Sequence, residues 1–451
     1  MMQKNITDKF IEIILNMSES ELPNQVINQA TRCLIDYIGV TTAGAFTRSK
    51  KNRLLLNELR THGKIPVIGT GECTDLFTAA LTNGMNAHEV ELDDGHRHGT
   101  MHPASPIMSS LLPVAYQNNV FGEDLLRGIV LGYEAAIRLA CAVQPYHKEH
   151  GFHTTGTCGT IGAAVGIGIM LRYSCTQLKA VLSAAVSSAA GVLENIEDCS
   201  ELKPYNAGRA ALDAVAAAYV GKNDKGPDNI LGGKRGFLSV FGGCKSSEHL
   251  FQSGNYYAIE KIYFKPYASC RFTHAPLEAA YIALCANNLD IDNIDQVEIY
   301  TYKAAVFGQD HKNIQGSNSA KMSIPYCVAC MLVTGQVGIQ SFTNELLQSK
   351  KIHHLMDKIT INIDYELTAA APGIRAAIAV VKMRDGAEFI HRVDYPKGEP
   401  EYPMPDADIE QKFSDLLTFS ERSPKKIAAG LSTIRNVKND STAFLELLKE
   451  L

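Results

Sequence analysis

Between Asn5 and about Glu260 the apolar positions recur three and four residues apart, as in Ile6, Phe10, Ile13 and Ile14, then Val26, Ile27, Ala30, Cys33, Leu34 and Tyr37. That spacing gives each of a series of helices one apolar stripe. Ser20 and Pro23 read as the opening of the second helix. Further helices are predicted over Thr74 to Glu89, Pro106 to Gln117, Gly122 to Ala142, Thr160 to Leu171, Thr176 to Leu193 and Gly208 to Gly221. Many of them are dense in Ala and Gly, which lets helices approach closely.

After Phe264 the period shortens. The segments from Gln296 (QVEIYTYKAAV), Lys358 (KITINIDYEL), Ala376 (AAIAVVKM) and Glu388 (EFIHRVDY) carry β-branched and aromatic residues in partial alternation and read as strands. Asp385-Gly386 marks a hairpin turn. Helical patterns over His274 to Asn287 and Tyr326 to Gly335 lie between the strands. The Pro-rich stretch from Lys397 leads back to helices over Ile409 to Leu417 and Ser441 to Leu448, expected to dock on the first part of the chain. The fold class read from this is mainly α with an α+β second domain: residues 1–262 helical, completed by 400–451, and residues 263–399 an α+β lid.

Composition narrows the function classes. The chain has 451 residues, 45% apolar and 20% charged, enough to bury an enclosed site and too apolar for a disordered state. The net charge is −5 and no basic run is present, so nucleic acid is not an expected partner. The start, MMQKNITDKFIEIIL, interrupts its apolar residues with charges and does not read as a signal peptide. No apolar stretch approaches the ~20 residues of a membrane span, so no membrane partner is expected. Eleven scattered cysteines suit a reducing compartment, and a cytoplasmic location is expected.

Chemistry concentrates in four places. Seven of the fourteen histidines fall between His88 and His153. The segment Asn83 to Ser105 alone holds His88, Glu89, Glu91, Asp93, Asp94, His96, His98 and His102. Three readings of it compete: metal ligation through His96 and His98, a solvated loop capping the helix near Pro106, and acid and base work by histidines that both take and give protons. Metal is the weaker reading because Arg97 puts a cation between the two ligands. The second place, Pro145 to Ala164, sets Tyr146, His147, His150 and His153 ahead of Thr154, Thr155 and the glycines Gly156, Gly159 and Gly162. No strand precedes these glycines, so a dinucleotide fingerprint is rejected. A helix start that holds a carboxylate, or a tight helix crossing, remains.

The third place is Ser200 to Val215, where Lys203 stands beside Pro204 just before an Ala-rich helix; a lysine drawn into a cleft can act as a base. The fourth is Phe264 to Pro276, at the domain junction, with Lys265, Cys270, Arg271 and His274. Junctions favour ligand clefts, and Arg271 is placed to clamp a carboxylate or else to lie solvated in a linker. Cys327 and Cys330 form a CxxC inside an apolar helical run and read as core packing, and Gly232 to Phe237 reads as a surface turn.

The motifs AHEVELDDGHR…HP, GFHTTGTCGTIGAA, KPYNAGRAA, ILGGKRGF, KPYASCRFTH and SIPYCVA, in that order across nearly the whole chain, resemble the MmgE/PrpD family. That family includes 2-methylcitrate dehydratase, cis-aconitate decarboxylase and iminodisuccinate epimerase. The resemblance implies a homodimer, chemistry without metal or organic cofactor, and a small polycarboxylate substrate. It also implies that His102, His153, Lys203 and Tyr326 meet in a cleft, with Asp93 and Asp94 as the acidic pair of the first motif. Glu91, Cys270 and Arg271 depart from what cis-aconitate decarboxylases carry at matching places, and the loop before His102 is one residue longer, which points away from decarboxylation.

The expected activity is therefore a cofactor-free lyase of 2-methylcitrate dehydratase type acting on a hydroxy di- or tricarboxylate. Lys203, His153, His102, Tyr146 and Tyr326 are the expected catalytic residues, with His153 or Lys203 as base and His102 as acid. Glu91, Asp93, Asp94, Thr154, Cys270, Arg271 and His274 are the expected substrate contacts. An epimerase of an imino- or amino-dicarboxylate, with Lys203 and Tyr146 as opposed bases, is the alternative, followed by cis-aconitate decarboxylation. A carboxylate-binding protein without activity is the non-enzymatic reading.

Overall fold

A computed structural model describes residues 4–120, 122–196, 200–243, 247–251 and 256–451. The first helix, Ile6–Glu19, is capped by Asn5, whose side chain accepts from the Asp8 amide at 2.9 Å. Ser20 closes this helix rather than opening the next; its hydroxyl donates to the Asn16 carbonyl, and Asn24–Thr47 begins directly after Pro23 with no side-chain cap. The helices Leu76–Glu89, Ala104–Asn118, Glu123–Val143, Thr154–Met170, Cys175–Ser188 and Lys203–Asn223 complete the helical body.

Thr154–Met170 starts at Thr154 rather than Thr160, because its first turns, TTGTCG, carry no apolar period. Every residue of it is nonetheless buried. A helix buried on all sides has no amphipathic stripe to read. Lys203–Asn223 likewise starts at Lys203, with Pro204 in its first turn, where a missing N–H costs nothing.

Two glycines decide how close these helices come. A Cβ on Gly84 would lie 2.7 Å from the Cα of Gly208, and one on Gly208 would lie 2.4 Å from the Leu81 carbonyl oxygen. Leu76–Glu89 and Lys203–Asn223 therefore cross backbone to backbone. The crossing draws Lys203, at the start of one helix, toward His88, at the end of the other.

The second part of the chain holds a four-stranded sheet ordered Ile359–Ile363, Ile294–Thr301, Ala377–Met383 and Glu388–Val393. The first pair is parallel and the other two antiparallel. Gly386, at φ +90, sits in the hairpin turn, and Asp385 accepts from the Ala387 amide at 3.0 Å. Two of the predicted strands run too long: KAAV becomes the helical turn Lys303–Val306, and YELTAA becomes Tyr365–Ala370. His274–Ala286 and Ile324–Thr334 cover the sheet; Cys327 and Cys330 are packed in this core.

The chain then returns through Asp406–Phe419, Pro424–Arg435 and Ser441–Glu450; the middle one has no counterpart among the predicted helices. Ile409, Phe413 and Phe444 join the same core as Phe10 and Ile38. Lys412 on the returning helix donates to Asp36 at 2.6 Å and to the Leu92 carbonyl at 2.7 Å, fixing the histidine-rich loop from below. Among the described residues no helix is long and apolar enough to cross a membrane.

Candidate active site

A cleft of about 1720 Å³ opens between the helical body and the α+β part, and His88, Glu91 and Lys203 form part of its wall. Glu91 is the hub. It sits just past the end of Leu76–Glu89 with φ +56, a backbone region that a non-glycine residue occupies only when its surroundings enforce it. Its carboxylate takes a hydrogen bond from Lys203 Nζ on one oxygen and from Lys265 Nζ at 3.2 Å on the other. Lys265 is fully buried and also donates to the Glu91 carbonyl at 3.1 Å. Burial works against ionisation of Glu91, but the two ammonium groups outweigh it and hold the carboxyl well below its usual range. Lys265 comes from the segment joining the two parts, so this carboxylate ties them together at the cleft.

Three imidazoles surround this hub. The ring centre of His88 lies 5.1 Å from that of His102 and 5.9 Å from that of His153. Their partners fix which nitrogen of each carries the proton. His88 Nδ1 donates to Asp93 at 2.7 Å, and its Nε2, fully buried, has no hydrogen-bond partner. His102 Nδ1 donates to the Asp94 carbonyl at 2.7 Å, which leaves the lone pair on Nε2. His153 is the reverse: its Nδ1 accepts from the Asn206 amide at 3.1 Å, so the proton sits on Nε2. Asn206 lies one turn along the helix from Lys203, so a single helix face positions both the ammonium and this imidazole.

Burial pushes His102 down to about 3 and His153 well below 6.5, with the neighbouring cations adding to the effect on His153. Both rings are therefore neutral at pH 7. Burial works against ionisation of Asp93, but the His88 hydrogen bond at 2.7 Å and the Lys265 ammonium 4.0 Å away hold it well below its usual range, and Ser105 donates to it at 2.7 Å. Asp94 differs from its neighbour. Burial raises it to about 8, although the Ala104 amide and Tyr133 both donate to it.

The acidic pair thus divides between a dyad partner for His88 and a structural anchor below the loop. The lone pair on His102 Nε2 can take a proton, His153 Nε2–H can donate a hydrogen bond, and Lys203 can give a proton. That reverses the expected base and acid roles of His153 and His102.

Other expected site residues lie elsewhere. All five guanidinium N–H groups of Arg271 are engaged: with Glu399, the carbonyls of Pro396 and Lys397, and His274 Nδ1. Its guanidinium also stacks 4.5 Å from the Tyr263 ring centre. No donor remains for a substrate, so Arg271 and His274 are a structural clamp, not a carboxylate site. Tyr326 is fully buried, and its hydroxyl donates to the Ser341 carbonyl at 2.7 Å, inside the core rather than in the cleft. Tyr146 stacks on His150 at 3.7 Å between ring centres and is not part of the cleft wall, so it does not oppose Lys203 across a substrate.

Thr154 accepts from Gln144 at 2.9 Å and Thr155 from the His102 amide at 3.1 Å; both are buried behind the wall. Cys270 lies outside the lining as well. His96 and His98 do reach the cleft, with ring centres 6.0 Å apart, while Arg97 between them pairs with Glu399 and Glu401. Among the described residues no three His, Cys, Asp or Glu side chains are grouped to hold a metal ion. Sequence reasoning passed over His88, Lys265 and Asn206 as site members, and the EVELDD spacing that puts Asp93 five residues after His88 was the available signal.

The chain is 23% identical to the cis-aconitate decarboxylase of Aspergillus terreus, over 99% of this chain and 96% of that protein. It is 24% identical to the human cis-aconitate decarboxylase, over 92% and 88%, and 22% identical to the Mus musculus one, over 92% and 87%. Residues 8–249 match the MmgE/PrpD N-terminal domain and residues 267–432 the MmgE/PrpD C-terminal domain, so the chain belongs to the MmgE/PrpD family.

Proposed function

We propose that the protein is a lyase for a small hydroxy di- or tricarboxylate, of 2-methylcitrate dehydratase type. One observation carries the reading: His102, with the lone pair on its Nε2, lies 5.1 Å between ring centres from His88, which lines the cleft together with the Lys203 ammonium. Removing a proton beside a carboxylate leaves charge on the carboxylate oxygens, and fixed cations and N–H groups lower that barrier. His102 Nε2 takes the C–H proton, and the charge flows into the adjacent carboxylate. His153 Nε2–H donates to the enolate-like oxygen. The C–O bond breaks as Lys203 gives its proton to the departing hydroxyl, releasing water and leaving an alkene. Lys265 and Glu91 hold Lys203 in place.

A second reading is favoured by the relatives, which bear the name cis-aconitate decarboxylase. In it a C–C bond breaks to release CO2, and Lys203 gives its proton to the resulting carbanion. Incubation with citrate, 2-methylcitrate and cis-aconitate, followed by NMR and CO2 detection, separates the two. Water loss with a new alkene supports the first reading, and CO2 release from cis-aconitate replaces it with the second. Turnover of none of the three overturns both.

A further inference from the structure

Away from the imidazole group, the same cleft gathers two cations that form no ion pair among the described residues. Arg375, 8% exposed, precedes the strand Ala377–Met383, and its position is fixed by Thr301, whose hydroxyl donates to the Ala376 carbonyl at 2.8 Å. Lys148 comes from the other side of the cleft, on the short helix Tyr146–Glu149. Both cations meet one ring: the Lys148 ammonium lies 4.7 Å and the Arg375 guanidinium 5.5 Å from the centre of Phe272, which Tyr302 buttresses edge-on at 5.8 Å. Lys148, Arg375, Phe272 and Tyr302 all line the cleft.

Two of the nearby acids are already used. Glu399 is held by Arg271 and Arg97, and Glu401 by Arg97. Among the described residues the Arg375 guanidinium donates to the Arg97 carbonyl, and neither Arg375 nor Lys148 has a carboxylate within 4.0 Å. Like charges crowded in a half-buried site repel, and an aromatic face offsets only part of that cost. Burial and the Arg375 guanidinium accordingly press Lys148 toward its neutral form. An anion placed between the two relieves both.

We propose that Arg375 and Lys148, one from each side of the cleft, form an anion-binding subsite that takes a substrate carboxylate remote from the one activated near Lys203 and His102. This rests on the reading of the cleft as a polycarboxylate site and adds a requirement: the substrate carries at least two carboxylates, and binding the second draws the two sides together. Arg supplies the bidentate geometry and Lys the second charge.

Calorimetric titration tests this with fumarate, crotonate and inorganic sulfate as probes, on the wild type and on the Arg375→Met, Arg375→Lys and Lys148→Met variants, each first checked for an unchanged unfolding transition. Fumarate and crotonate share a four-carbon skeleton and differ by one carboxylate. The subsite predicts that fumarate binding weakens about tenfold or more in both Met variants, while crotonate binding stays within a factor of two. Arg375→Lys recovers part of the loss.

Equal fumarate affinity in the wild type and both Met variants overturns the subsite and leaves the proton-transfer reading standing. If no carboxylate binds the wild type but sulfate does, and sulfate is lost in Arg375→Met, the subsite stands and the polycarboxylate reading falls. Absence of binding by all three probes overturns the subsite. Should Arg375→Met fail to fold, Lys148→Met, on the opposite side of the cleft, decides alone.

Discussion

The Asn206 amide donates to His153 Nδ1 at 3.1 Å, from the same helix turn that presents Lys203 to Glu91. Asn206 touches no substrate in this account; it positions an imidazole by fixing its tautomer. Asn206→Asp replaces the donor with an acceptor and moves the His153 proton to Nδ1. The expected result is a fall in kcat of about tenfold or more with KM little changed, and a shifted pH profile, since tautomer errors act on the transition state. Asn206→Gln is expected to recover part of the rate. Unchanged kcat in Asn206→Asp removes His153 from the mechanism.

Glu91 neutralises two buried ammonium groups. Glu91→Gln leaves Lys203 and Lys265 facing each other with only Asp93, 4.0 Å from Lys265, as counter-charge, and breaking a buried pair costs about 3 kcal/mol or more. Denaturant titration is expected to show that loss. Adding Lys265→Met to Glu91→Gln is expected to recover part of it. A Glu91→Gln variant as stable as the wild type contradicts the hub.

Acid should destabilise the fold early. His96 and His102 are pushed down to about 3 and His147 to about 4 by burial, against about 6.5 in an unfolded chain. Below pH 6.5 the unfolded chain therefore takes up protons that the folded chain refuses, so stability falls as pH drops from about 6.5 toward 4. Glu91 and Asp93, both held well below their usual range, add a further loss below about pH 4.5. Thermal unfolding across pH 4 to 8 reads this out. A flat midpoint between pH 6.5 and 4.5 contradicts the buried neutral histidines.

Arg271 was expected at the substrate and is found binding Glu399 and His274 instead. Arg271→Lys cannot reproduce five donors in a plane. It is expected to lower stability while leaving KM for a carboxylate substrate within about twofold. A selective rise in KM with unchanged stability returns Arg271 to the binding site.

These outcomes mark where the sequence was informative. Apolar periodicity located Leu76–Glu89 and Glu123–Val143 to within a residue or two, because each shows one face to a core. It failed at Thr154–Met170, where burial on every side erases the stripe, and at Pro424–Arg435, whose basic first turn hides a three-residue apolar contact. Of the four residues the motifs set together, Lys203 binds Glu91, His102 and His153 lie 5.1 and 5.9 Å from His88 between ring centres, and Tyr326 lies in the core instead.

What the motifs could not carry is pairing across distance. Glu399 lies far along the chain from Arg271, and no local pattern announces that it consumes that guanidinium. The orientation of each imidazole is equally invisible, since it depends on a backbone carbonyl for His102 and on Asn206 for His153.

The central claim is that Lys203 and His102 move protons on a polycarboxylate bound between the two parts of the chain. The most direct measurement is NMR of citrate, 2-methylcitrate and cis-aconitate in deuterated water with wild type, Lys203→Ala and His102→Gln. The account predicts deuterium incorporation or conversion by the wild type for at least one of them, reduced at least ~100-fold in each variant with the fold unchanged. Wild-type rates in both variants would contradict it.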